Sequence, residues 1–470
     1  KALPTVVQNA DFEALVNVLP QTNAEDSKYV QQALVLVLNS SADKDAKVKK
    51  LAANISRSAA PSAAKFFPIF AGVGGADALQ SVQGYLKNTD GNLRKDAIAS
   101  LANWSNPESL STLISLSREE KDPATFAVVF KGLIQQVNAS SLNAEQKTLD
   151  LRDAFQLAQT LDQKKAVLGS LQATGTYQAM TFAAQFLADK DLSAAATNTA
   201  MNIAMDNKEF VGQDVRDILE KANANLVGSE SSYLREAIVR HLAEMPNEAG
   251  FVALFNGQDL DGWKGLVENP IKRGQLSAKE LQRRQAAADA KMRASWTAEG
   301  GSLVFSGHGD NIATVKKYGD FEMLVDWKLD KNGKEPDAGI YLRGTPQVQI
   351  WDISRTEVGA QVGSGGLYNN SKHAKDPLKV ADNALGEWNT FKIKMIGEKV
   401  SVWLNGELVV DNVVLENYWD RNQSIFPVEQ IELQAHGSQV WYRDIFIKEI
   451  PRKETFTLSD AERKEGFAML

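Results

Sequence analysis

Two periodicities divide the chain. Up to about residue 245, apolar positions recur every three to four residues, as in LRKDAIASLANW and PATFAVVFKGLIQQV, the spacing of one helix face. Short breakers with helix-start chemistry separate these runs: NTDGN, SNPES, KDPA, ATGT and DKD. A loose self-similarity recurs. GADALQSVQGYLKNTDGNLRKDAIASL is echoed about 31 residues later by NPESLSTLISLSREEKDPATFAVVFKGL, and TYQAMTFAAQFLADKDLSAAATNTAMNIA gives a third copy. Each copy reads helix, acidic turn, helix, so residues 1–245 are expected to form an α-solenoid of HEAT-like repeats, the alternative being an irregular helical bundle. His241, in REAIVRHLAEM, sits on an amphipathic helix and reads as structural.

From Phe251 the period changes to two. Strand candidates follow one another: FVALF, SLVFSG, ATVKK, FEMLVDWKL, AGIYLRG, QVQIWD, TFKIKMI, KVSVWLNG, ELVVDN, QIELQAHG and VWYRDIFIKEI. Many strands with hairpin turns and no interleaved helices predict an antiparallel β-sandwich or jelly roll over residues 246–452. One insertion, residues 271–296, interrupts them. It predicts a charged amphipathic helix started by a capping box, Ser277 with Glu280, and packed beside the sheet through Leu281, Ala288 and Met292.

The alternation also sorts the chemistry. Phe321, Met323, Val325, Trp327 and Leu329 share one face of their strand, with Glu322, Asp326 and Lys328 on the other. In GIYLRGTPQVQIWD (Gly339 to Asp352), Ile340, Leu342, Val348 and Ile350 take the greasy face. Tyr341, Arg343, Gln347, Gln349 and Trp351 oppose them. Trp403 faces away from Val402 and Leu404; Glu432, Gln434 and His436 face away from Ile431 and Leu433. Arginine and acids fix hydroxyls by charge-assisted hydrogen bonds, amides donate and accept at once, and flat rings stack on sugar C–H faces. This set predicts a carbohydrate-binding sheet; the bland reading is a polar layer buried under a loop or the helices.

Composition narrows the classes. A net charge of -7 without a long basic run argues against nucleic acid as the main partner. No run of about 18 apolar residues exists to span a membrane as a helix. There is no cysteine, hence no disulfide or thiolate chemistry. Eight of the nine tryptophans and three of the four histidines lie beyond residue 250, which concentrates candidate chemistry in the β half.

On these motifs residues 251–450 resemble the 3-keto-disaccharide hydrolase domain family of glycosyl hydrolases. The landmarks are LFNGQDLDGW, GGSLVFSG, YGDFEMLVDWKL, DAGIYLRG, QVQIWD, GEWNTFKIKMIGEKVSVWLNGELVVD and IELQAHGSQVWYRDIFIKEI. Two positions depart from the family pattern: Asp337-Ala338 stand where Asn-Ser is usual, and Gln347 where Glu is usual. The resemblance implies a concanavalin A-like jelly roll that cleaves glycosides whose glucose carries a ketone at C3. Such a ketone acidifies the C2 proton, so a base can remove it and the aglycone can leave by β-elimination, with water then adding to the enone. His436 is the favoured acid or base. Arg343 is expected to stabilise the oxyanion or hold hydroxyls. Glu322 and Asp326 are expected to orient Arg343, act as an alternative base, or bind a divalent cation, calcium or another. Gln347, Gln349 and Gln434 are expected to hold hydroxyls, with Trp351 and Trp403 as stacking surfaces and Tyr341 beside them. His308 and His373 lie in loops that could rim the site, and His308 with Asp310 offers metal ligands of undiagnostic spacing. The competing reading is a non-catalytic sugar-binding module, with a protein partner on the solenoid.

The chain starts at Lys1 rather than Met, as expected of a processed or engineered N-terminus, and a bacterial protein of the periplasm, outer membrane or exterior, its signal removed, is expected. At the other end, KEGFAML echoes EAGFVALF at the start of the first jelly roll, so 453–470 is expected to lead from a linker into a second domain of the same family.

Overall fold

The computed structural model describes residues 3–55 and 58–452. The expectation for 453–470 falls outside the described residues. Helices occupy the chain up to Glu244, and antiparallel strands begin at Val252. Contacts divide the described residues into two compact units. One draws on Lys1–Leu142, Asp150–Gly175 and Ala179–Thr199, the other on Asn143–Leu149, Thr176–Gln178 and Ala200–Leu470.

In the first unit the breakers act as caps. Asp90 in NTDGN accepts from Asn92 N at 3.0 Å, Asp122 in KDPA from Thr125 N at 3.1 Å, and Asp189 in DKD from Leu192 N at 2.9 Å. Each satisfies backbone donors that a helix start leaves unpaired. Helix α1 (Ala24–Asn39) packs on α2 (Phe67–Val73); α3 (Gly91–Ala102) and α4 (Leu110–Glu119) pack on α5 (Pro123–Ala139). Buried side chains tie helices at a steady interval. Ser100 Oγ donates to Phe67 O, 33 residues away, Gln136 Nε2 to Trp104 O, 32 away, and Thr199 Oγ1 to Leu168 O, 31 away.

The second unit carries the strands β1 (Val252–Ala253), β2 (Trp263–Gly265), β3 (Trp296–Glu299), β4 (Ser302–Phe305), β5 (Ile312–Thr314), β6 (Phe321–Leu329), β7 (Asp337–Leu342), β8 (Thr345–Trp351), β9 (Asn389–Ile396), β10 (Lys399–Leu404), β11 (Glu407–Val414), β12 (Glu432–Leu433) and β13 (Val440–Glu449). They form two antiparallel sheets. The larger runs β11-β10-β9-β6-β13-β4-β3, with β1 also on β13; the smaller runs β2-β5-β12-β7-β8. The greasy faces read from the sequence meet in one core. Phe321, Met323, Val325, Trp327, Phe391, Val400 and Val402 come from the larger sheet, and Ile340, Leu342, Val348, Ile350, Ile431 and Leu433 from the smaller. Burying each such side chain contributes about 1.5–3 kcal/mol.

The insertion forms two helices, α6 (Pro270–Gly274) and α7 (Ala278–Ser295). Ser277 caps α7 by accepting from Glu280 N at 3.3 Å. The reciprocal half of the expected capping box is replaced: the Glu280 carboxylate takes Arg283 and Arg284 instead, at 2.7 Å each. Met292 is buried in the core, and Ala288 lies so close to Gly265 that a Cβ there would come within 2.2 Å of its backbone. α7 therefore packs beside β2 with no room for a larger residue at 265.

The β7–β8 hairpin decides the fate of Arg343. Leu342 pairs with Thr345, so Arg343 and Gly344 are the two turn residues, with φ of 50° and 68°. Two left-handed residues make the hairpin turn whose twist matches its strands. At positive φ the Arg343 side chain leaves the strand's alternation. It is fully buried, and its Nη2 donates to Asp320 Oδ1 at 2.8 Å. Asp320 also accepts from Gly397 N and Arg452 Nε, both at 2.9 Å. Replacing Asp320 by Ala leaves the Arg343 cation buried without its partner, which costs about 3–5 kcal/mol. The expected outcome is a large loss of stability in urea unfolding, while Arg452→Ala, an exposed contact to the same carboxylate, costs little.

Candidate active site

The smaller sheet turns one face to its core and the other outward. On that outer face β7 and β12 set the geometry. Glu432 lies opposite Tyr341, and Leu433 opposite Ile340. The register continues past the strand ends: Gln434 N donates to Gly339 O at 2.9 Å, and His436 Nδ1 comes within 3.7 Å of Asp337 Oδ2. Because alternate side chains share a face, three cross-strand pairs follow one another: Asp337 with His436, Gly339 with Gln434, Tyr341 with Glu432. β8 adds Gln347, Gln349 and Trp351, with Gln349 opposite Gly339 and Trp351 opposite Asp337.

Gly339 makes room for the amides. A Cβ at 339 would stand 2.8 Å from Gln347 Cδ and 3.0 Å from Gln434 Oε1. The Gln347 amide donates to Gln349 Oε1, whose own amide donates to Ala338 O at 3.2 Å and Asp337 Oδ1 at 3.4 Å. Asp337 is the charged centre of this end. Arg355 Nη1 lies 3.9 Å from its carboxylate, at the oxygen that His436 also approaches. Burial pushes the Asp337 pKa up, while the charges of His436 and Arg355 pull it down. His436 is partly exposed beside it.

Several polar atoms along this face make no hydrogen bond within the protein: both Glu432 carboxyl oxygens, Gln434 Oε1, His436 Nδ1 and Arg355 Nη1. Glu432 is 1% exposed. Burial, with the Glu429 carboxylate near it, raises its pKa to about 8 against the opposing charge of Arg273. Burial and then Glu432 raise the Tyr341 phenol to about 12.

The segment from residue 353 to 388 covers the β8 edge. Gln349 N donates to Gly366 O at 3.0 Å, Gly365 N to Gln349 O at 2.8 Å, and Trp351 N to Ser364 Oγ at 2.8 Å. Between this segment and β8 lies a cavity of about 250 Å³ lined by Gln349, Trp351, Val358, Gln361, Tyr368 and Asp376, among others. Tyr368 meets Trp351 edge-on at 5.4 Å. Glu416 anchors the segment further on, accepting from the backbone of Ser371, Lys372 and His373. Burial would raise the Glu416 pKa, but these N–H donors bring it down to about 2.

The predicted residues therefore divide. Tyr341, Gln347, Gln349, Trp351, Gln434 and His436 gather on the outer face of the smaller sheet. Glu322 and Asp326, expected to orient Arg343, act as an alternative base or bind a cation, stand on β6 in the other sheet, where Glu322 pairs with Lys392 at 3.0 Å and Asp326 with Arg443 at 3.1 Å. Trp403 is on that sheet too, under Lys392. Arg343 is in the Asp320 pair. His373 is held by Glu416 at 3.2 Å, His308 is exposed, and Asp310 pairs with Lys291 at 2.9 Å. Among the described residues, no three His, Asp or Glu side chains gather in a metal-ligand cluster. The sequence reading did not single out Asp337, Arg355 or Glu432 as site residues. Asp337 and Glu432 were visible as polar positions in strands, whereas Arg355 lies beyond β8 with no periodicity to mark it.

Residues 250–448 match the 3-keto-alpha-glucoside-1,2-lyase-like domain. The chain is 24% identical, over 283 aligned residues, to a "3-keto-disaccharide hydrolase" of Bacteroides thetaiotaomicron, an alignment that spans 49% of the chain and 89% of that protein. Among solved structures, a "putative glycosyl hydrolase" of Parabacteroides distasonis aligns at 24% identity over 43% of this chain and 95% of its own, with a TM-score of 0.32. A second one from the same organism aligns at 22% identity over 33% of the chain and 91% of its own, with a TM-score of 0.27.

The protonation of Glu432 has a measurable consequence. Its folded pKa, about 8, lies above that of an unfolded glutamic acid. The unfolded chain therefore releases this proton first, and folding stability falls as pH rises between about 4.3 and 8. Glu432→Gln removes that contribution. Its melting temperature is expected to exceed that of the wild type at pH 8 by more than at pH 5, as scanning calorimetry at the two pH values would read.

Proposed function

We propose that the lyase-like domain cleaves glycosides whose glucose unit carries a ketone at C3, with His436 as the base. The observation that carries this reading is the Asp337–His436 pair beside the amides of Gln347, Gln349 and Gln434, next to a ring-walled cavity of about 250 Å³. A cavity of that size suits one sugar ring, and amides that donate and accept suit its hydroxyls. The likeness to a protein called a 3-keto-disaccharide hydrolase supports the substrate class.

In this mechanism His436 takes the C2 proton, and Asp337 stabilises the imidazolium that results. The C2–H electrons form the C2–C3 double bond as the carbonyl pair moves onto O3. When the C3 carbonyl re-forms, a C1–C2 double bond forms and the C1–O bond breaks. The departing oxygen keeps the bonding pair and takes up a proton. Water then adds across C1–C2, hydroxyl at C1 and hydrogen at C2, to give the 3-keto sugar. Two carboxylates straddling the glycosidic bond, as ordinary glycosidases use, are not required.

The finer architecture belongs to the same proposal. We read the two sheets as a jelly roll of the concanavalin A type. The helices before them read as stacked HEAT-like repeats, supported by the side-chain bonds that recur at 31 to 33 residues.

The test is turnover of methyl 3-keto-α-glucoside against the plain methyl glucoside, with and without chelator. Only the keto sugar is expected to be cleaved. His436→Ala should lower turnover by at least about a hundredfold without loss of fold, the usual scale for removing an acid–base group. Sugar binding with no turnover by the wild type would instead favour a carbohydrate-binding module.

A further inference from the structure

Removing a proton from C2 sends negative charge to O3, and a donor must meet it there. Arg343, expected in that role, is buried with Asp320. Arg355 stands where Arg343 does not. It lies in the turn that follows β8, and backbone bonds fix it. Arg355 N donates to Asp352 O at 3.1 Å, and Arg355 O accepts from Val358 N at 3.3 Å and Ala360 N at 3.2 Å. Val358 and Gly359 of the same turn wall the cavity beside Trp351. The start of the turn is tied to β7, because Asp352 N donates to Pro336 O at 3.1 Å, next to Asp337.

Arg355 and His436 share one anchor. His436 Nδ1 at 3.7 Å and Arg355 Nη1 at 3.9 Å both face Asp337 Oδ2. Neither gap is short enough for a hydrogen bond, so the guanidinium is not spent on this carboxylate. Those two nitrogens are enclosed. Each side chain keeps another nitrogen that is not. His436 Nε2 and Arg355 Nη2 make no hydrogen bond among the described residues, and neither is shut away from water. Arg355 Nε meets only the exposed Glu357, at 3.3 Å. The guanidinium thus keeps donors for a ligand, within reach of the open nitrogen of the base.

We propose that Arg355 is a catalytic residue of this site, binding O3 of the keto sugar and balancing the negative charge that forms there while His436 Nε2 removes the C2 proton. The proposal rests on the reading of the site as one that enolises a 3-keto sugar. In that step the C2 proton passes to Nε2 and the C–H pair becomes the C2–C3 double bond. The carbonyl pair moves onto O3, where the guanidinium N–H groups donate to it. Arg355 keeps its own protons, since a guanidinium stays charged at any working pH. The distances fit neighbouring atoms of one sugar. The nitrogens facing Asp337 Oδ2 stand less than about 8 Å apart, the sum of their two distances, and C2 with O3 bridges such a span at contacts of about 3 Å on each side. Asp337 serves both groups, orienting the imidazole on one side and the guanidinium on the other.

The experiment separates deprotonation from cleavage. The 3-keto derivative of 1,5-anhydroglucitol carries no aglycone, so hydrogen–deuterium exchange at its C2 in D2O, read by NMR, reports enolisation. The wild type is expected to exchange C2 at a rate that levels off as pH rises. On that plateau Arg355→Met should slow exchange by at least about a hundredfold, the scale of one lost oxyanion donor, with a melting temperature near that of the wild type. Guanidinium ion added to Arg355→Ala should restore part of the lost exchange and should restore none in His436→Ala. A plateau within about threefold of wild type in Arg355→Met overturns the proposal, even where the pH of the rising limb is displaced, since Arg355 would then only tune the Asp337–His436 pair. Rate lost in both variants together with the melting transition, and not relieved by guanidinium, marks a structural role and overturns it too. A wild type that neither exchanges nor cleaves the keto sugars overturns the functional reading itself, whereas an active wild type with an unimpaired Arg355→Met overturns Arg355 alone.

Discussion

The pairing register between β7 and β12 controls what the outer face can do. With Glu432 opposite Tyr341, every second residue in both strands falls on that face, and Leu433 and Ile340 fall in the core. A slip of one residue in either strand would turn its polar set inward and its core set outward. Such a slip would bury carboxyls against Val348 and Ile350 and expose Ile431 and Leu433. The hydrophobic core therefore holds the register, and the register assembles the site. Gly339 belongs to the same constraint, since its missing side chain lets the Gln347 and Gln434 amides lie across β7.

This face is costly to maintain. An unsatisfied buried donor or acceptor costs about 1–3 kcal/mol, and Glu432, Gln434 and His436 each carry one or more. The opposing contribution comes from the shared core, where Trp327, Phe391 and Tyr442 are almost wholly buried. Electrostatics adds to the picture. Asp337 lies beside Arg355 and His436, whereas Glu432 has no hydrogen-bonded ion partner and answers burial by keeping its proton. Two carboxyls on neighbouring strands of one sheet thus meet burial differently, one beside charged neighbours and one by keeping its proton.

The two sheets divide the polar residues into separate sets. The smaller sheet gathers amides, carboxyls, a phenol and an imidazole. The larger sheet's outward residues form cation–carboxylate and cation–ring contacts, as in Lys392 with Glu322 and Trp403. Those contacts are neutralised pairs, and surface pairs of this kind contribute little to stability. The covering segment completes the smaller sheet's face. Glu416 fixes it by gathering several backbone N–H groups, which are otherwise hard to satisfy in a loop.

Much of this was legible in the sequence. The period of two placed Phe321 to Leu329 correctly, face by face, and brought Tyr341, Gln347, Gln349, Gln434 and His436 to one kind of surface. Helix starts could be read from Asp90, Asp122 and Asp189, because a cap acts within three residues of itself. What alternation cannot tell is which sheet a strand joins, since pairing partners lie far apart in the chain. Glu322, Asp326 and Trp403 look equivalent to the site residues in sequence, and only the strand order puts them on the other sheet. Arg343 obeys the alternation on paper, but the two-residue turn gives it positive φ and sends it to Asp320. The proton on Glu432 was likewise invisible. Its sequence context is that of any polar strand position, and the burial that keeps it neutral is the sum of neighbours supplied by the tertiary structure alone.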